Sequence, residues 1–469
     1  MKRNGILFVL LSTVIFAAPA LAQTTPPTVR VDYYHTGNAN TETLSLHQVV
    51  IEPLPWPGQL EKSIDSTRLG YFLFQVEDPV SGEVLYSRGY SSIFQEWQHT
   101  GEAKQMDRTF HESVRFPKPE KPVRLHILKR NEKQEFVSLW SVPIDTDDML
   151  TVRAHAPAPA PVVDLHVSGD PAGKVDVVIL GDGYTAAETE KFEADARRLT
   201  AAFFTYEPFK SRAADFNFRG ISPPAVKSGV NRPSNGTFRH SPSGTTYDAF
   251  RAERYILAFD NQGMRNIIQH VPYEFIIVLG NSQTYGGGGI YNLYSTAAAD
   301  SDWAEYLVVH EFGHHFAALA DEYYTSDAVY EPKSDRPEPW ETNVTALHNP
   351  AQLKWGHLVA EGTALPTTWP KQEFEAFQKE NQANRARLRA ENRPESEMNE
   401  LFRREQAFVV DLFSKHPETN SVIGAFEGAN YAASGYYRSE MNCTMFTRHD
   451  TFCRVCSDGI EAVIDQYVD

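Results

Sequence analysis

An α/β (α+β) domain preceded by an all-β, sandwich-like N-terminal domain is the fold class that this 469-residue sequence predicts. Three observations carry the prediction. Residues 28–150 alternate short β-branched and aromatic stretches with polar turns, the pattern of consecutive strands. Residues 154–161 (AHAPAPAP) alternate proline without any periodic apolar face and read as an extended spacer. Beyond the spacer, apolar runs of strand length alternate with helical patterns.

The elements are expected in the following order. Residues 1–22 combine Lys2 and Arg3, an apolar run, and Ala20-Leu21-Ala22 before Gln23, which reads as a secretory signal cleaved after Ala22. The apolar run is shorter than the roughly 20 residues of a spanning helix, so no transmembrane segment is expected after cleavage, and the mature chain is expected to be exported. The β-rich domain then occupies 23–153, with strands near 28–34, 69–77, 123–128 and 136–142. A Pro/Ala linker over 154–164 leads to the second domain, 165–469. There, 175–180 is a buried strand, Thr185 and Glu188 form a capping box for a helix running to about Phe204, and 275–279 is a second buried strand. Residues 371–415 place apolar side chains at helical spacing and predict two helices broken at Pro394, either packed as an insertion or poised as a flap.

Composition excludes some functions. With 61 Asp and Glu against 44 Lys and Arg, the net charge of −17 repels nucleic acid and anionic lipid surfaces. Three cysteines cannot build a disulfide scaffold, so stability must come from packing.

Chemistry concentrates in residues 302–324, DWAEYLVVHEFGHHFAALADEYY. Asp302 and Glu305 match a capping box, and apolar residues on every face from Tyr306 to Ala320 predict a helix surrounded by protein. Burying His310, Glu311 and His314 without partners would cost several kcal/mol, so something must satisfy them. Residues four apart share one helix face, so both imidazoles converge on one ion. Glu311, one position past the first ligand, turns toward a water rather than the ion, as in His-Glu-x-x-His zinc hydrolases. A three-ligand zinc site with an open position activates water, with Glu311 as general base, and peptide-bond hydrolysis is the leading reaction class. His315 points about 100° away and is expected to be packed rather than ligating.

The third ligand is Asp321, provided the helix ends near Ala318, or else a carboxylate on the later helices of 371–415. A straight helix would carry Asp321 more than about 10 Å past His314.

These residues, with others along the chain, resemble the IgA-peptidase family of bacterial zinc metallopeptidases. The likeness rests on HEFGH at 310–314 with LADEY at 319–323, on LGDGY at 180–184, YGGGGIY at 285–291, ETNVT at 341–345, and on FEGA at 426–429 leading to GYYR at 435–438. It covers about residues 175–460 and implies a metzincin-like zinc-peptidase catalytic domain with His310, His314 and Asp321 on one catalytic Zn2+ and Glu311 as base. One departure is Ala318, where the family's usual residue is Gly. The resemblance also calls for a methionine turn beneath the metal; Met441 and Met445 are available, and the likeness favours Met445. It implies a protein or peptide substrate, with a host glycoprotein such as immunoglobulin A suggested by the family name.

Gly287 and Gly288 lie in a run that is either a flexible turn or a sheet edge facing extended substrate, and Tyr436 and Tyr437 are candidates to stabilise an oxyanion. Cys443, Cys453 and Cys456 bracket the methionine turn; in an exported chain a disulfide between two of them, of open pairing, is expected to leave one thiol, and because a Cys-x-x-Cys pair alone is half a zinc site no second structural zinc is expected. The alternative reading is a glycan- or protein-binding surface factor with a vestigial or structural zinc site. Hydrolysis of a non-peptide amide would use the same chemistry.

Overall fold

The structure is a computed structural model that describes residues 25–326 and 336–468. The signal segment expected over 1–22 lies outside the described residues.

The N-terminal part is all-β. Its strands are β1 (Pro27–Gly37), β2 (Glu42–Pro55), β3 (Phe72–Glu77), β4 (Val84–Tyr90), β5 (Arg108–Pro117), β6 (Val123–Arg130), β7 (Phe136–Ile144) and β8 (Val152–Arg153), with a short helix α1 (Ile93–Gln98) after β4. They form two four-stranded sheets, ordered β5-β1-β2-β8 and β4-β3-β6-β7. Alternation decides which side chains go inside: Val29, Val31 and Tyr33 of the first sheet meet Phe72, Phe74, Val76, Leu125 and Ile127 of the second, all buried. This is the sandwich that the sequence pattern predicts.

Residues 154–161 contain no strand, as their prolines require, but the extended spacer ends sooner than 164 because β9 (Val162–Val167) already joins the next sheet. That sheet continues with β10 (Val175–Asp182), helix α2 (Thr189–Phe203), β11 (Phe216–Ile221), a small pair β12 (Thr245–Thr246) and β13 (Leu257–Ala258), helix α3 (Asn261–Ile268), β14 (Phe275–Gly280), β15 (Gly287–Ile290), β16 (Tyr294–Ala298) and helix α4 (Ala304–Ala317). The order is β15-β16-β14-β10-β11-β9; the four inner strands are parallel and both edges antiparallel. Inner strands buried on both faces need continuous apolar runs, which is what VDVVIL and FIIVL supply. One face, through Val177, Ile179, Phe275, Ile277 and Leu279, packs on Phe192, Leu199 and Phe203 of α2 and Phe312 and Phe316 of α4. The other, through Val178, Leu180, Ile276 and Val278, packs on Met264 and Ile268 of α3 and on Phe94 and Trp97 of α1. The N-terminal part thus covers the second face, tied there by Arg115 Nη1 donating to Tyr273 O (2.8 Å) and Ser91 N donating to Tyr291 O (2.9 Å).

The remaining elements are β17 (Val344–Thr345), α5 (Lys371–Ala390), α6 (Glu395–Ser414), α7 (Pro417–Asn420), β18 (Phe426–Ala429), β19 (Ala432–Arg438) and α8 (Arg454–Tyr467). Strands β17, β19 and β18 form a third sheet in that order. Helices α5 and α6 break at Pro394 as expected and bury Phe374, Leu388, Met398, Phe402, Leu412 and Phe413 in the main core, so residues 371–415 are a packed insertion here.

Two capping expectations have opposite outcomes. The Thr185–Glu188 box forms and opens the helical segment that becomes α2. The Asp302–Glu305 box does not: α4 starts at Ala304, Trp303 is its N-cap without a side-chain bond, and Asp302 instead pairs with Arg403 at 2.8 Å.

Candidate metal centre

Helix α4 is buried along most of its length, which fixes its azimuth and holds His310 and His314 on the side facing a cavity of about 610 Å3. The helix stops at Ala317 because Ala318 turns into the left-handed region, φ 54° and ψ 33°. The reversed chain is tied back by Leu319 N donating to Gly313 O at 3.2 Å. The break occurs with alanine where a glycine is usual, and it brings Asp321 back beside the helix instead of carrying it onward. Asp321 Oδ1 lies 3.2 Å from His310 Nε2 and 3.2 Å from His314 Nε2. The third-ligand alternative on the later helices is not what this geometry favours: the described His, Cys, Asp and Glu residues grouped with the two imidazoles number one, Asp321.

Whether a metal fits can be judged from the donors themselves. Tetrahedral zinc with ligands at about 2.0–2.1 Å has donor–donor edges of about 3.3 Å, and both observed edges are 3.2 Å. Asp321 Oδ1 is buried with no hydrogen-bond partner among the described residues, while Tyr431 Oη donates to Oδ2. Each imidazole has its other nitrogen committed: His310 Nδ1 donates to Thr444 O at 3.0 Å and His314 Nδ1 donates to Leu319 O. A proton placed on each Nδ1 leaves both Nε2 lone pairs directed at the same point, the outer-shell arrangement metal sites require. Histidine, histidine and carboxylate with a side open to the cavity is a donor set that suits zinc.

The electrostatics agree with a cation between these groups. Burial lowers the proton affinity of His314, but the Asp321 carboxylate beside it prevails and pushes it up to about 9. Burial would raise Asp321, yet the two imidazoles hold it well below the usual carboxylate range. Glu311 is pushed up, first by burial and then by Asp321, against the downward pull of both imidazoles. A carboxyl with raised proton affinity at the cavity wall is suited to receiving a proton.

Glycines let a strand approach α4 closely. A Cβ on Gly287 would stand 2.9 Å from both Cγ and Oε1 of Glu311, and one on Gly289 would stand 2.2 Å from Glu311 O. The glycine run is therefore strand β15 on the sheet edge, not a flexible turn. Its outer side is partly taken, since Gly287 N donates to Arg254 O (3.1 Å) and Ile256 N donates to Gly287 O (3.2 Å). Gly287 cannot pair with an extended substrate through those groups. Gly287 and Gly288 nevertheless line the cavity.

Met445 is fully buried, and its Sδ would lie 3.1 Å from a Cβ on Gly313, so it packs directly under the metal helix. Met441 is also buried. Tyr436 lines the cavity and donates its hydroxyl to Pro337 O at 3.1 Å. Tyr437 does not line it; strand alternation turns it to the other side of β19, opposite Glu427. His315 is packed as expected: it accepts from Ile276 N (3.0 Å), its Nδ1 donates to Ile290 O, and burial pulls it down to about 3.

Residues that sequence reading missed include Tyr431, Arg254 and Tyr306. Arg254 donates to Tyr323 Oη at 3.2 Å on the cavity wall, and Tyr306 Oη lies 3.2 Å from His310 Nδ1. Part of the wall comes from the N-terminal sandwich region, where Tyr255 of the second part donates to Glu96. No spacing rule points to Tyr431 or Arg254, because each arrives from a separate segment, whereas Tyr306 lies four residues before His310 on α4 and that i,i+4 spacing is the signal that could have found it.

The expected disulfide is not formed. All three cysteines are free and buried, and the Sγ atoms of Cys443 and Cys456 are 3.7 Å apart against about 2.05 Å for a bond.

Comparison with known proteins agrees with the fold. No curated protein matches the chain. The family model described as IgA Peptidase M64 matches residues 163–464, and the model of the Peptidase M64 N-terminus matches 22–141. With most of its length matched by these two models, the chain belongs to the IgA peptidase M64 family and is a peptidase.

Proposed function

We propose that the protein is an exported, zinc-dependent endopeptidase in which His310, His314 and Asp321 hold the ion and Glu311 is the general base. The observation that carries this reading is the pair of 3.2 Å separations from Asp321 Oδ1 to the two Nε2 atoms, at the wall of a cavity that Glu311 also lines. Export is supported by the N-terminal sequence pattern alone.

When bound, zinc supplies a Lewis acid that polarises a carbonyl and brings a water's pKa toward neutrality. Glu311, held by β15 on one side and by α4 on the other, accepts the proton of the attacking water and returns it to the leaving amine. Asp321, anchored by Tyr431, would supply the single negative charge of the donor set, and the two neutral imidazoles would leave the ion with net positive charge. Arg254 presents donors to the same space and is placed to meet developing negative charge or a substrate carboxylate, whereas the Tyr436 hydroxyl would first have to turn from Pro337 O. The cavity of about 610 Å3, walled by both parts of the chain, accommodates several residues of an extended peptide.

The test is digestion of casein with and without chelator, together with zinc content. Glu311→Ala is expected to lower turnover by roughly 10²- to 10⁴-fold while zinc stays bound. Retained turnover in that variant refutes the assignment.

A further inference from the structure

A second group of metal-type donors lies next to the first. The Sγ atoms of Cys443, Cys453 and Cys456 and a carboxylate oxygen of Glu322 all fall within 4.8 Å of one another, and all four residues are buried. The separations are 3.7 Å for Cys443 Sγ to Cys456 Sγ, 3.3 Å for Cys456 Sγ to Glu322 Oε1, and 3.8 Å for Cys453 Sγ to Glu322 Oε1. Tetrahedral zinc with Zn–S of about 2.3 Å and Zn–O of about 2.0 Å has S–S edges of about 3.8 Å and S–O edges of about 3.5 Å. The cluster has the size of that coordination shell.

Its surroundings are those of thiolates. Met445 N and Cys453 N point at Cys443 Sγ (3.4 and 3.2 Å), and Cys456 N points at Cys453 Sγ (3.4 Å), where Cys453 caps the start of α8. Ser439 Oγ adds a hydroxyl at 3.3 Å from Cys453 Sγ. Such donors stabilise negative sulfur. Glu322 Oε1 accepts from Asn343 at 3.1 Å, whereas Oε2 is buried with no partner among the described residues. Oε1 is the oxygen that faces the sulfurs, and the only neighbouring cation among the described residues that acts on Glu322, Cys443 and Cys453 is the buried Arg438.

We propose that Cys443, Cys453, Cys456 and Glu322 form a second, structural zinc site. Four protein ligands close the coordination sphere and leave no position for water, which separates this site from the open one on α4. Soft sulfur donors exclude magnesium and calcium as occupants. Binding displaces the thiol protons to solvent and cross-links three segments, two of which carry parts of the first site while the third packs in the same core as α4. Those segments are the stretch carrying Asp321, the turn carrying Thr444 and Met445, and α8. Glu322 N already donates to Met445 O at 2.9 Å along the same seam. The chain thus uses one metal to position the ligands of another.

The site is tested on the full chain, purified with reductant, through zinc-to-protein ratio and cobalt spectroscopy. Wild type is expected to hold two zinc ions and a His310→Ala/His314→Ala variant one. The cobalt-loaded His variant should show thiolate-to-cobalt charge-transfer absorption, lost in Cys453→Ser/Cys456→Ser. If the cysteine variant fails to fold, the wild-type ratio and the His variant's spectrum decide. A wild-type ratio of one without a thiolate band overturns the proposal, as does an intact mass showing a disulfide among the three cysteines. The His variant isolates this site, so failure of the peptidase reading would leave its result unchanged.

Discussion

The carboxylates of Asp321 and Glu322, neighbours in sequence, serve two different clusters: Asp321 Oδ1 stands 3.2 Å from two imidazole nitrogens, and Glu322 Oε1 stands 3.3 Å from Cys456 Sγ. The irregular stretch that follows α4 sends these consecutive side chains to different clusters, so one short segment reaches both. Separable effects are expected from the two substitutions. Asp321→Ala should release the ion of the α4 site, and Tyr431→Phe, which removes only the hydroxyl donating to Asp321 Oδ2, should weaken metal binding by roughly 10- to 100-fold. Competition with a coloured chelator measures both. Equal affinity for wild type and Tyr431→Phe would show that Asp321 needs no such anchor.

Ala318 stores strain at the helix end. A non-glycine residue in the left-handed region costs about 1–2 kcal/mol, and Ala318 sits at φ 54° while 2% exposed. Glycine removes that strain but loses more entropy on folding. Ala318→Gly is therefore expected to raise stability by about 0.5–1 kcal/mol with zinc content unchanged, read from urea midpoints. Ala318→Val should lower it by about 2 kcal/mol or more, since a β-branched residue fits neither the dihedral nor the space. A stabilising valine would mean that the turn is not held in this conformation.

What was legible in the sequence follows from this turn. His310, Glu311 and His314 are bound by helical geometry alone, so spacing suffices to read them. Asp321 needed a break that alanine does not advertise; the chain breaks there because Leu319 N finds Gly313 O and Ala320 N finds Asn343 Oδ1. The inner strands were legible because a strand buried on both faces needs an uninterrupted apolar run. Tyr431, Arg254 and the Thr444 carbonyl were not legible, since tertiary packing delivers each from a distant segment. Glu322 was hidden in the same way: its motif neighbours suggest the α4 site, and only the fold reveals that it faces the cysteines. The start of α4 was misread because Asp302 found a better partner in Arg403 than in the helix N-terminus.

Gly287 and Gly289 are expected to separate activity from stability. Alanine at 287 forces its Cβ against Cγ and Oε1 of Glu311 and against Thr296 O, each at 2.9 Å, so the proposed base must move and β15 must ease away from β16 by a few tenths of an ångström, while the proposed metal ligands need not shift. Turnover should fall by on the order of 10²-fold, the usual cost of a displacement near 1 Å, with the zinc ratio unchanged. Alanine at 289 meets backbone, Glu311 O at 2.2 Å, which cannot yield locally, and should destabilise the fold by about 1–3 kcal/mol. Steady-state kinetics and urea melts on the two variants check this. Full activity in Gly287→Ala would show that β15 does not fix the position of the Glu311 carboxylate.

Glu274 offers a pH-dependent test of the sheet itself. Its carboxyl is buried at the start of β14, where Oε2 accepts from Asp176 N at 2.8 Å and Oε1 has no partner among the described residues. Burial, and then the neighbouring Asp176 carboxylate, push its proton affinity well above the usual range. The native chain therefore holds this proton more tightly than the unfolded chain, whose carboxyl ionises near 4.5. The contribution is fully present below that value and is lost as pH rises, at about 1.4 kcal/mol per pH unit, until the native carboxyl also ionises. Glu274→Gln keeps the acceptor for Asp176 N and removes the titration. Wild type and variant should unfold at similar urea concentrations near pH 4, where both carry a neutral group. Above about pH 5 the variant should become the more stable, by a margin that widens with pH. A margin that stays constant, or shrinks as pH rises, would show that the native carboxyl ionises as readily as the unfolded one, and that Arg115 and Arg88, which pull it down, outweigh burial at this end of the sheet.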